Sequence, residues 1–408
     1  MRSVAVPTLL ASALLLCAQP DDASKFSARL LQNRYGLGIR NGQLTGTGAS
    51  VLKTAIAQSR FVLLGETHGL AEIARFAGAV CRLAESEGFH TLAIEEGPLA
   101  AAELERLARR TDARQQLAGL LKRYPESVNI YNEVEELEML QQCRGFGFWG
   151  INQEGLGAAG LMLDKIQETH PGPASSAAIR SLLQKNETAN ARARVSGRIG
   201  DLYMNSADDN DLAAAAAALE KDASPRARSL FKSFTLSHEI NRAWPAGADR
   251  RFRLMKSLFA ADYAEAARTS GTQPKVLLKL GSFHTYRGFN PAHQSSVGNY
   301  LAEFADANGA ESLHISVMPV KYTQRIYPRI GEPARERAFN LNDDPSSRYL
   351  QPILANALES DWTLIDLRPL RQALREAPTM ANPQLSNLIF GMDLLLVIPE
   401  TAASTRID

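Results

Sequence analysis

The chain has 408 residues, of which 45% are hydrophobic and 22% are charged, an ordinary balance for a globular protein. This length can hold one large core or two closely associated domains. Lys and Arg number 45 against 44 Asp and Glu, so the charge balance gives no indication of binding to nucleic acid or to an anionic membrane surface.

The N-terminus is typical of a secretory signal peptide. A positively charged start precedes an apolar run over residues 4–16, and the small residue Ala18 lies just before a candidate cleavage point. The run is too short to span a membrane. We therefore expect residues 1–18 to be a signal peptide and the mature chain to be periplasmic or secreted. Cys17 suggests a lipoprotein anchor, but the bulky Leu16 before it argues against one.

Two cysteines, Cys81 and Cys143, remain after the signal peptide. Export would permit a disulfide between them. Cys81, however, lies on a mostly apolar face of a predicted helix, which favours a buried free thiol. Neither cysteine belongs to a CxxC cluster of the kind that binds metals.

The first half of the chain alternates strands and helices. A Gly/Thr-rich loop at 43–49 leads into a short helix at 50–58, and an apolar strand at 61–64 follows. Apolar positions then recur at helical spacing from 73 to 84, Gly88 ends that helix, and a second buried strand covers 91–94. This order predicts a right-handed βαβ unit with parallel strands. The elements that follow are helices at 98–110 and 132–143 and a third strand at 147–151.

The second half begins with a long stretch, 156–270, that contains no convincing strand. It is rich in Ala, Leu, Lys and Glu and predicts several helices, which we interpret as a helical insertion or cap. Further strands are predicted at 275–280, 312–320, 362–367 and 393–398, with a polar surface connection at 321–347.

The predicted fold class is therefore α/β, with a mostly parallel central sheet flanked by helices and a helical insertion between strands three and four. The expected domains are the N-terminal part of the core at 19–155, the insertion at 156–272 and the C-terminal part of the core at 273–408.

Polar side chains follow four of the predicted strands directly. Because the carboxyl ends of parallel strands open on one side of a sheet, where ligands bind in open α/β folds, we expect these side chains to form one site. They are Glu66 and His68, Glu95 and Glu96, Asn152, Gln153 and Glu154, and Ser282 and His284, with Arg287 beyond them.

Structural roles stay open for several of these residues. His68 could cap the helix that follows it, and a neighbouring carbonyl could satisfy His284. Glu96 could stabilise the start of the next helix electrostatically. Asn152, Gln153 and Glu154 could belong to a polar loop that caps a helix.

At these residues the chain resembles the erythromycin esterase-like family, whose superfamily also includes ChaN-like haem-uptake lipoproteins and Tiki-type proteins. The stretch LGETHG at 64–69 is similar to the family's strand–GE–histidine–Gly signature. Similar blocks follow at 88–95, 275–284, 296–301 and 393–398, so the resemblance runs from about residue 50 to the C-terminus. It implies an α/β core with a helical insertion and an acid–histidine site that acts as a hydrolase.

Two positions depart from the esterase pattern. One residue separates Glu66 from His68, where the esterases usually have two, and this shorter spacing is similar to the ChaN-like branch. Ala77 stands where the esterases tend to carry an arginine in the first helix. Macrolide specificity is therefore not transferred, and a haem- or metal-binding envelope protein without catalysis is the alternative.

The sequence predicts an exported, metal-independent hydrolase that attacks an ester, lactone or related carbonyl of a small molecule with water. His68 would be the general base, since an imidazole suits that task near neutral pH. Glu66 or Glu95 would orient His68, and His284 would donate to the oxyanion or leaving group. The predicted substrate-binding residues are Glu96, Asn152, Glu154 and Arg287.

Other chemistries lack their motifs. The sequence contains no G-x-S-x-G, no P-loop, no G-x-G-x-x-G after a strand and no H-E-x-x-H. We expect no cofactor, although zinc or another divalent ion held by Glu66, His68, Glu95 and His284 is chemically feasible, as is haem. A degenerate family member that serves as a protein-interaction module is a third alternative.

Overall fold

The computed structural model describes residues 21–326, 330, 332, 334–359, 361–376, 380 and 382–407. The predicted signal peptide and Cys17 lie outside the described residues and stay predictions. In the part of the chain that is described, no helix is both long enough and apolar enough to cross a membrane.

The strands of the described residues join into one ten-stranded, mostly parallel sheet. They are β1 (Arg34–Arg40), β2 (Gln43–Thr45), β3 (Ser59–Glu66), β4 (Thr91–Ile94), β5 (Gly147–Gly150), β6 (Val276–Gly281), β7 (Glu311–Ile326), β8 (Arg335–Asn340), β9 (Trp362–Asp366) and β10 (Leu394–Thr401). Their spatial order is β2-β1-β9-β10-β7-β3-β6-β4-β5, and β8 pairs with β7 beside this path. The strands from β10 to β5 in this order are parallel, and all pairings of β1, β2, β8 and β9 are antiparallel.

The helices are α1 (Asp22–Gln32), α2 (Thr47–Gln58), α3 (Ala71–Ser86), α4 (Pro98–Ala108), α5 (Ala113–Arg123), α6 (Val134–Gln142), α7 (Ala159–Gln167), α8 (Pro173–Ser196), α9 (Tyr203–Ser206), α10 (Asp209–Asp222), α11 (Pro225–Arg242), α12 (Ala248–Ser270), α13 (Val297–Ala307), α14 (Gln351–Leu354), α15 (Arg368–Glu376) and α16 (Pro383–Gly391). Short 3-10 helices lie at Ile199–Asp201, Ser282–His284 and Pro345–Leu350.

Helices cover both faces of the sheet because its central strands are apolar on both sides. Along β3, Val62 and Leu64 pack in the same cluster as α2 to α6. Phe61 and Leu63 belong to a second cluster with α12 and α13. Successive side chains of a strand point to opposite faces, so a strand that is apolar at every position needs a helix layer on each side. This arrangement confirms the predicted α/β class with a mostly parallel sheet.

Between β5 and β6 the chain forms the helices α7 to α12. Helices α7 to α11 share a core of their own, which includes Met162, Leu212 and Phe231. Helix α12 instead packs on the sheet through Phe252 and Phe259. The helical cluster and the sheet thus have separate cores, and the role of α7 to α11 as a cap stays a prediction.

Two edge regions differ from the sequence interpretation. Part of the expected loop at 43–49 forms β2, and the expected polar connection at 321–347 continues β7 and returns as β8. The β7–β8 pair is polar and offers no apolar run, so periodicity does not reveal it. Stacking of Tyr322 on Phe339 stabilises it, because these residues are register partners whose ring centroids lie 4.9 Å apart.

Cys81 and Cys143 form a disulfide with their Cα atoms 5.4 Å apart, so the expectation of a free thiol is wrong. Cys81 lies in α3, and Cys143 directly follows α6. Periodicity identifies the buried face of each helix but not the face that packs against it. The bridge fixes α3, which follows His68, against the C-terminal end of α6.

Candidate active site

Three neighbouring parallel strands deliver the central side chains of the site. Strand β6 pairs with β3 on one side and β4 on the other, with Glu66 opposite Gly281. Glu95 directly follows β4, and His284 lies in the short 3-10 helix after β6. Gly69, at φ +77°, turns the chain after His68 so that α3 can begin at Ala71. The carboxyl ends of three strands thus meet at one place.

His68 lies between two buried carboxylates. Its Nδ1 is 2.9 Å from Oε1 of Glu66, and its Nε2 is 3.6 Å from Oε2 of Glu95. The His68 side chain is 37% exposed, whereas those of Glu66 and Glu95 are 2% and 5% exposed. Helix α3 has no side-chain cap, so His68 does not have the capping role that was an alternative. The imidazole is reachable from solvent while its partners are not.

Glu95 is a buried carboxylate with donors on both oxygens. The amide of Gly281 donates to Oε2 at 2.6 Å, and Nη2 of Arg251 donates to Oε1 at 2.5 Å. His284 Nε2 lies 3.3 Å from the same Oε1. Glu95 therefore links His68, on one oxygen, to His284 and Arg251, on the other. The two histidines are brought together as expected, and their catalytic roles stay predictions.

His284 is held on its other side by Ser296, whose Oγ lies 2.8 Å from Nδ1. The ring also packs edge-on against Phe252 of α12, with centroids 5.2 Å apart. A hydroxyl, rather than the carbonyl considered above, satisfies the second nitrogen. His284 is therefore fixed in orientation, with Nε2 towards Glu95.

Arg251, which the sequence analysis missed, belongs to the same cluster. It projects from α12, and its Nε donates to Oδ1 of Asn152 at 3.0 Å while Nη2 holds Glu95. Asn152 in turn donates from Nδ2 to the Glu95 carbonyl at 3.3 Å. Arg251 lies within a helix and does not directly follow a strand, so the search for polar residues at strand ends could not identify it.

Lys279, also missed, supports Glu66 from inside the sheet. Its Nζ donates to Glu66 Oε1 at 2.6 Å and to Glu136 Oε1 at 3.0 Å, and it lies 5.0 Å from the ring centroid of Tyr131. A lysine inside the buried run KVLLKL was a usable signal, because a buried ammonium requires a charged partner.

Glu96 and Glu154, predicted to bind substrate, anchor backbone instead. Glu96 Oε1 accepts from the amides of Asn129 and Ile130 at 2.8 and 2.9 Å. Glu154 accepts from the first amides of α4, with Leu99 at 2.7 Å. At 0% and 1% exposure, the two carboxyls position loops and helices around the site.

Arg287 is not brought to the cluster. It pairs with Asp393 Oδ2 at 2.8 Å and donates to the Ser312 carbonyl, at the junction of β7 and β10. Arg371 holds the other oxygen of Asp393 at 2.8 Å. Arg287, predicted to bind substrate, thus lies away from Glu66, whose cationic partner is Lys279.

The charges of the cluster follow from burial and mutual contact. Burial disfavours the charged form of His68, but Glu95 and Glu66 outweigh it and raise the His68 pKa to about 9. Burial also opposes ionisation of Glu66, yet Lys279 and His68 hold its pKa below the usual value. Despite burial, His284, His68 and Arg251 hold the pKa of Glu95 well below its usual value. Near neutral pH the resting site is therefore an imidazolium between two carboxylates.

Three further carboxyls are protonated more readily than usual. Burial raises the pKa of Glu96 to about 8, against the hydrogen bonds from Ile130 and Asn129. Burial raises the pKa of Glu154 to about 7. Burial likewise raises that of Glu136 to about 7, against the attraction of Lys279.

Two cavities are relevant to the position of the site. One of about 160 Å³ opens beside His68, between the loop after α5 and the end of β7. Another of about 620 Å³ lies among α10, α11 and the start of α12 and is lined by none of the strand-end residues. The smaller cavity is the one that His68 lines, whereas Glu66, Glu95 and His284 do not line it.

The site fits a metal ion poorly. Among the described residues, no group of three or more His, Cys, Asp or Glu is arranged to hold one. Lys279 already engages Glu66, and Arg251 and the Gly281 amide already engage Glu95. A cation would compete with these buried donors for the same oxygens.

Comparisons with known proteins give a fold but no family. No protein-family model matches the sequence, and no curated protein matches it. Three solved structures are similar. A Bacillus cereus protein is 17% identical (TM-score 0.60), covering 95% of this chain and all of its own. A succinoglycan biosynthesis protein is 16% identical (TM-score 0.61), covering 95% and 99%. A mutant of the erythromycin esterase EreC in its open conformation is 15% identical (TM-score 0.58), covering 88% and 95%. A distant structural relationship to the erythromycin esterase-like fold follows.

Proposed function

We propose that the chain is a hydrolase that uses water to cleave an ester, a lactone or a related carbonyl group of a small molecule. The observation that carries the proposal is the position of His68 between Glu66 and Glu95, with Glu95 shared by His284. The erythromycin esterase among the similar structures supports this class of reaction. No macrolide is implied as the substrate.

In the proposed reaction Glu66 fixes the tautomer of His68. The carboxylate accepts the Nδ1–H, which leaves Nε2 of the neutral imidazole free to take a proton from water. The water oxygen attacks the carbonyl carbon, and the proton moves to His68. Glu66 and Glu95 stabilise the imidazolium that forms. When the tetrahedral intermediate collapses, the imidazolium returns its proton to the leaving oxygen.

The developing negative charge is assigned to Arg251. Its Nη2 and Nε hold Glu95 and Asn152, so the guanidinium is fixed in place and stabilises an oxyanion without having to reorganise. His284 supports the same oxygen of Glu95, because its Nε2 faces Glu95 while its Nδ1 faces Ser296.

Export is part of the proposal. Residues 1–18 support it by their charge and apolar pattern. The Cys81–Cys143 disulfide supports it as well, because disulfides persist in oxidising compartments.

The test is a panel of esters, lactones and peptides, each with and without chelator, applied to the wild type and to His68→Ala. We expect at least one ester or lactone to be cleaved, chelator to have no effect, and His68→Ala to lower kcat/KM by about 10²–10⁴. His90→Ala, at an exposed histidine, is the matched control and keeps wild-type activity.

The proposal is wrong if no panel member is cleaved or if His68→Ala keeps full activity. A haemin Soret shift that His68→Ala abolishes would instead support the haem-binding alternative.

A further inference from the structure

The 160 Å³ cavity beside His68 is built as a polar recess. Its walls come from two parts of the chain, the segment 129–133 ahead of α6 and the end of β7, and His68 and Gly69 complete the lining. The residues that line it are His68, Gly69, Asn129, Ile130, Glu133, Gln324 and Arg325. The recess therefore opens directly onto the imidazole of the proposed base.

Glu133 is the feature of this recess that lacks an explanation in the fold. Glu133 is 8% exposed, and its Oε2 is buried with no hydrogen-bond partner among the described residues. It precedes α6 at the N-cap position but makes no side-chain cap. The Ser404 hydroxyl is near enough to favour the ionised form but completes no hydrogen bond to Oε2.

An unpartnered buried carboxylate oxygen has a cost that a ligand can remove. Leaving such an acceptor unsatisfied costs about 1–3 kcal/mol or more. The carboxylate faces Gly69, whose Cα would carry a Cβ only 3.5 Å from Oε1. Glu133 and His68 line the same recess, where a substrate group beside His68 would lie.

The charges around Glu133 decide which group fits. Burial raises the pKa of Glu133, Arg325 lies near enough to oppose that rise, and the imidazolium of His68 lines the same recess. Arg325 and the His68 imidazolium would repel an ammonium ligand, and the Glu133 carboxylate would repel a carboxylate or phosphate ligand. A neutral group with several hydroxyls avoids both repulsions, since each hydroxyl donates and accepts. The side-chain amides of Asn129 and Gln324, which line the recess, can likewise both donate and accept hydrogen bonds.

The volume sets the size of that group. Pockets that hold a whole small molecule usually span about 300–1,000 Å³, so this recess suits one ring or side branch. Glu96 holds the wall at Asn129 and Ile130 through their amides, so the recess is preformed on that side.

We propose that this recess binds a neutral, hydroxyl-rich substituent of the substrate, such as a sugar ring, with Glu133 accepting a hydrogen bond from one of its hydroxyls. The inference rests on the proposed hydrolase function, because it places the substituent next to the carbonyl that His68-activated water attacks. The substrate class is then an ester or lactone of a polyhydroxylated compound.

The test compares two acetates of primary alcohols on six-membered rings: methyl 6-O-acetyl-α-D-glucoside and cyclohexylmethyl acetate. We expect the wild type to favour the glucoside by at least about tenfold in kcat/KM, because a site built for hydroxyls rejects the analogue without them. Glu133→Gln and Glu133→Ala should reduce that ratio, with Ala bringing it close to one. Glu138→Gln, on an exposed position of α6, is the matched control and keeps the wild-type ratio.

Saturation-transfer NMR with methyl α-D-glucoside separates the two proposals, since it requires no reaction. Signals that appear with the wild type and Glu138→Gln but vanish with Glu133→Ala support the recess even if neither acetate is cleaved, which would count against the hydrolase alone. If the acetates are cleaved with equal efficiency, or if the ratio is the same in the Glu133 variants, the recess proposal is overturned and the hydrolase stands.

Discussion

The ammonium group of Lys279 lies 2.6 Å from Oε1 of Glu66, and their side chains are 1% and 2% exposed. The same ammonium also contacts Glu136, so one buried cation serves two carboxyls. The pKa of Glu66 is lowered and that of Glu136 is raised to about 7. Lys279 therefore bridges Glu66 and Glu136, and through Glu66 it holds His68 in place.

Removal of this buried cation should destabilise the fold strongly. In Lys279→Met the Glu66 carboxylate keeps its burial and loses its closest donor, which typically costs about 3–5 kcal/mol. The free energy of unfolding in urea measures the loss. Lys53→Met removes an ion pair whose lysine is 59% exposed and should cost less than about 1 kcal/mol. Equal stability of the two variants would contradict the role given to Lys279.

Gly281→Ala should impair catalysis without unfolding the chain. A Cβ there would lie 2.8 Å from His68 Nε2 and 3.2 Å from Glu95 Oε2, so the imidazole must move away. The backbone itself accepts alanine, since φ is −54°. A displacement of about 1 Å can lower kcat about 10²-fold.

Turnover and thermal unfolding, measured side by side, check this prediction. Gly119→Ala is the control, because a Cβ in that helix meets nothing within 4 Å and activity should be unchanged. Full activity of Gly281→Ala would mean that the position of His68 beside Glu95 is not needed.

The sequence was sufficient to predict the centre of the sheet and the residues at its edge. Strands β3, β4 and β6 are apolar at nearly every position, so their polar neighbours Glu66, His68, Glu95 and His284 stand out. In parallel strands this local pattern also implies a shared location, because the carboxyl ends face the same side.

The remaining parts of the site depend on packing between distant segments. Arg251 reaches Glu95 across 156 positions of the chain, and Lys279 reaches Glu136 across 143. Cys81 and Cys143 likewise meet only because α3 packs on α6. Periodicity identifies the buried face of a helix but not the neighbour that it contacts.

Glu96→Gln should flatten the dependence of stability on pH. Burial raises the folded-state pKa of Glu96 to about 8 from an ordinary value of 4.5. Between those values the folded state binds more protons than the unfolded state, so stability falls as pH rises through this window. An amide oxygen can still accept from Asn129 and Ile130 but does not ionise.

Urea denaturation at pH 5, 6, 7 and 8 tests this expectation by its slope rather than its absolute value. Glu220→Gln, on a surface side chain that is 74% exposed, should follow the wild-type slope. If Glu96→Gln declined as steeply as the wild type, the buried carboxyl would not be the source of the pH dependence.

The activity of the wild type should rise with pH up to about pH 9. Glu95 and Glu66 raise the His68 pKa to about 9 against the effect of burial, so only about one molecule in a hundred carries the neutral base at pH 7. The logarithm of kcat/KM should therefore climb with a slope near one and level off above pH 9. Glu95→Gln removes a negative charge next to the imidazolium and should move this rise to lower pH.

Glu138→Gln, away from His68, should leave the pH of this rise unchanged. An NMR titration of the His68 ring protons should give the same midpoints as the activity. A plateau already reached at pH 7, or a midpoint that Glu95→Gln does not lower, would show that His68 is not the base whose ionisation limits the reaction.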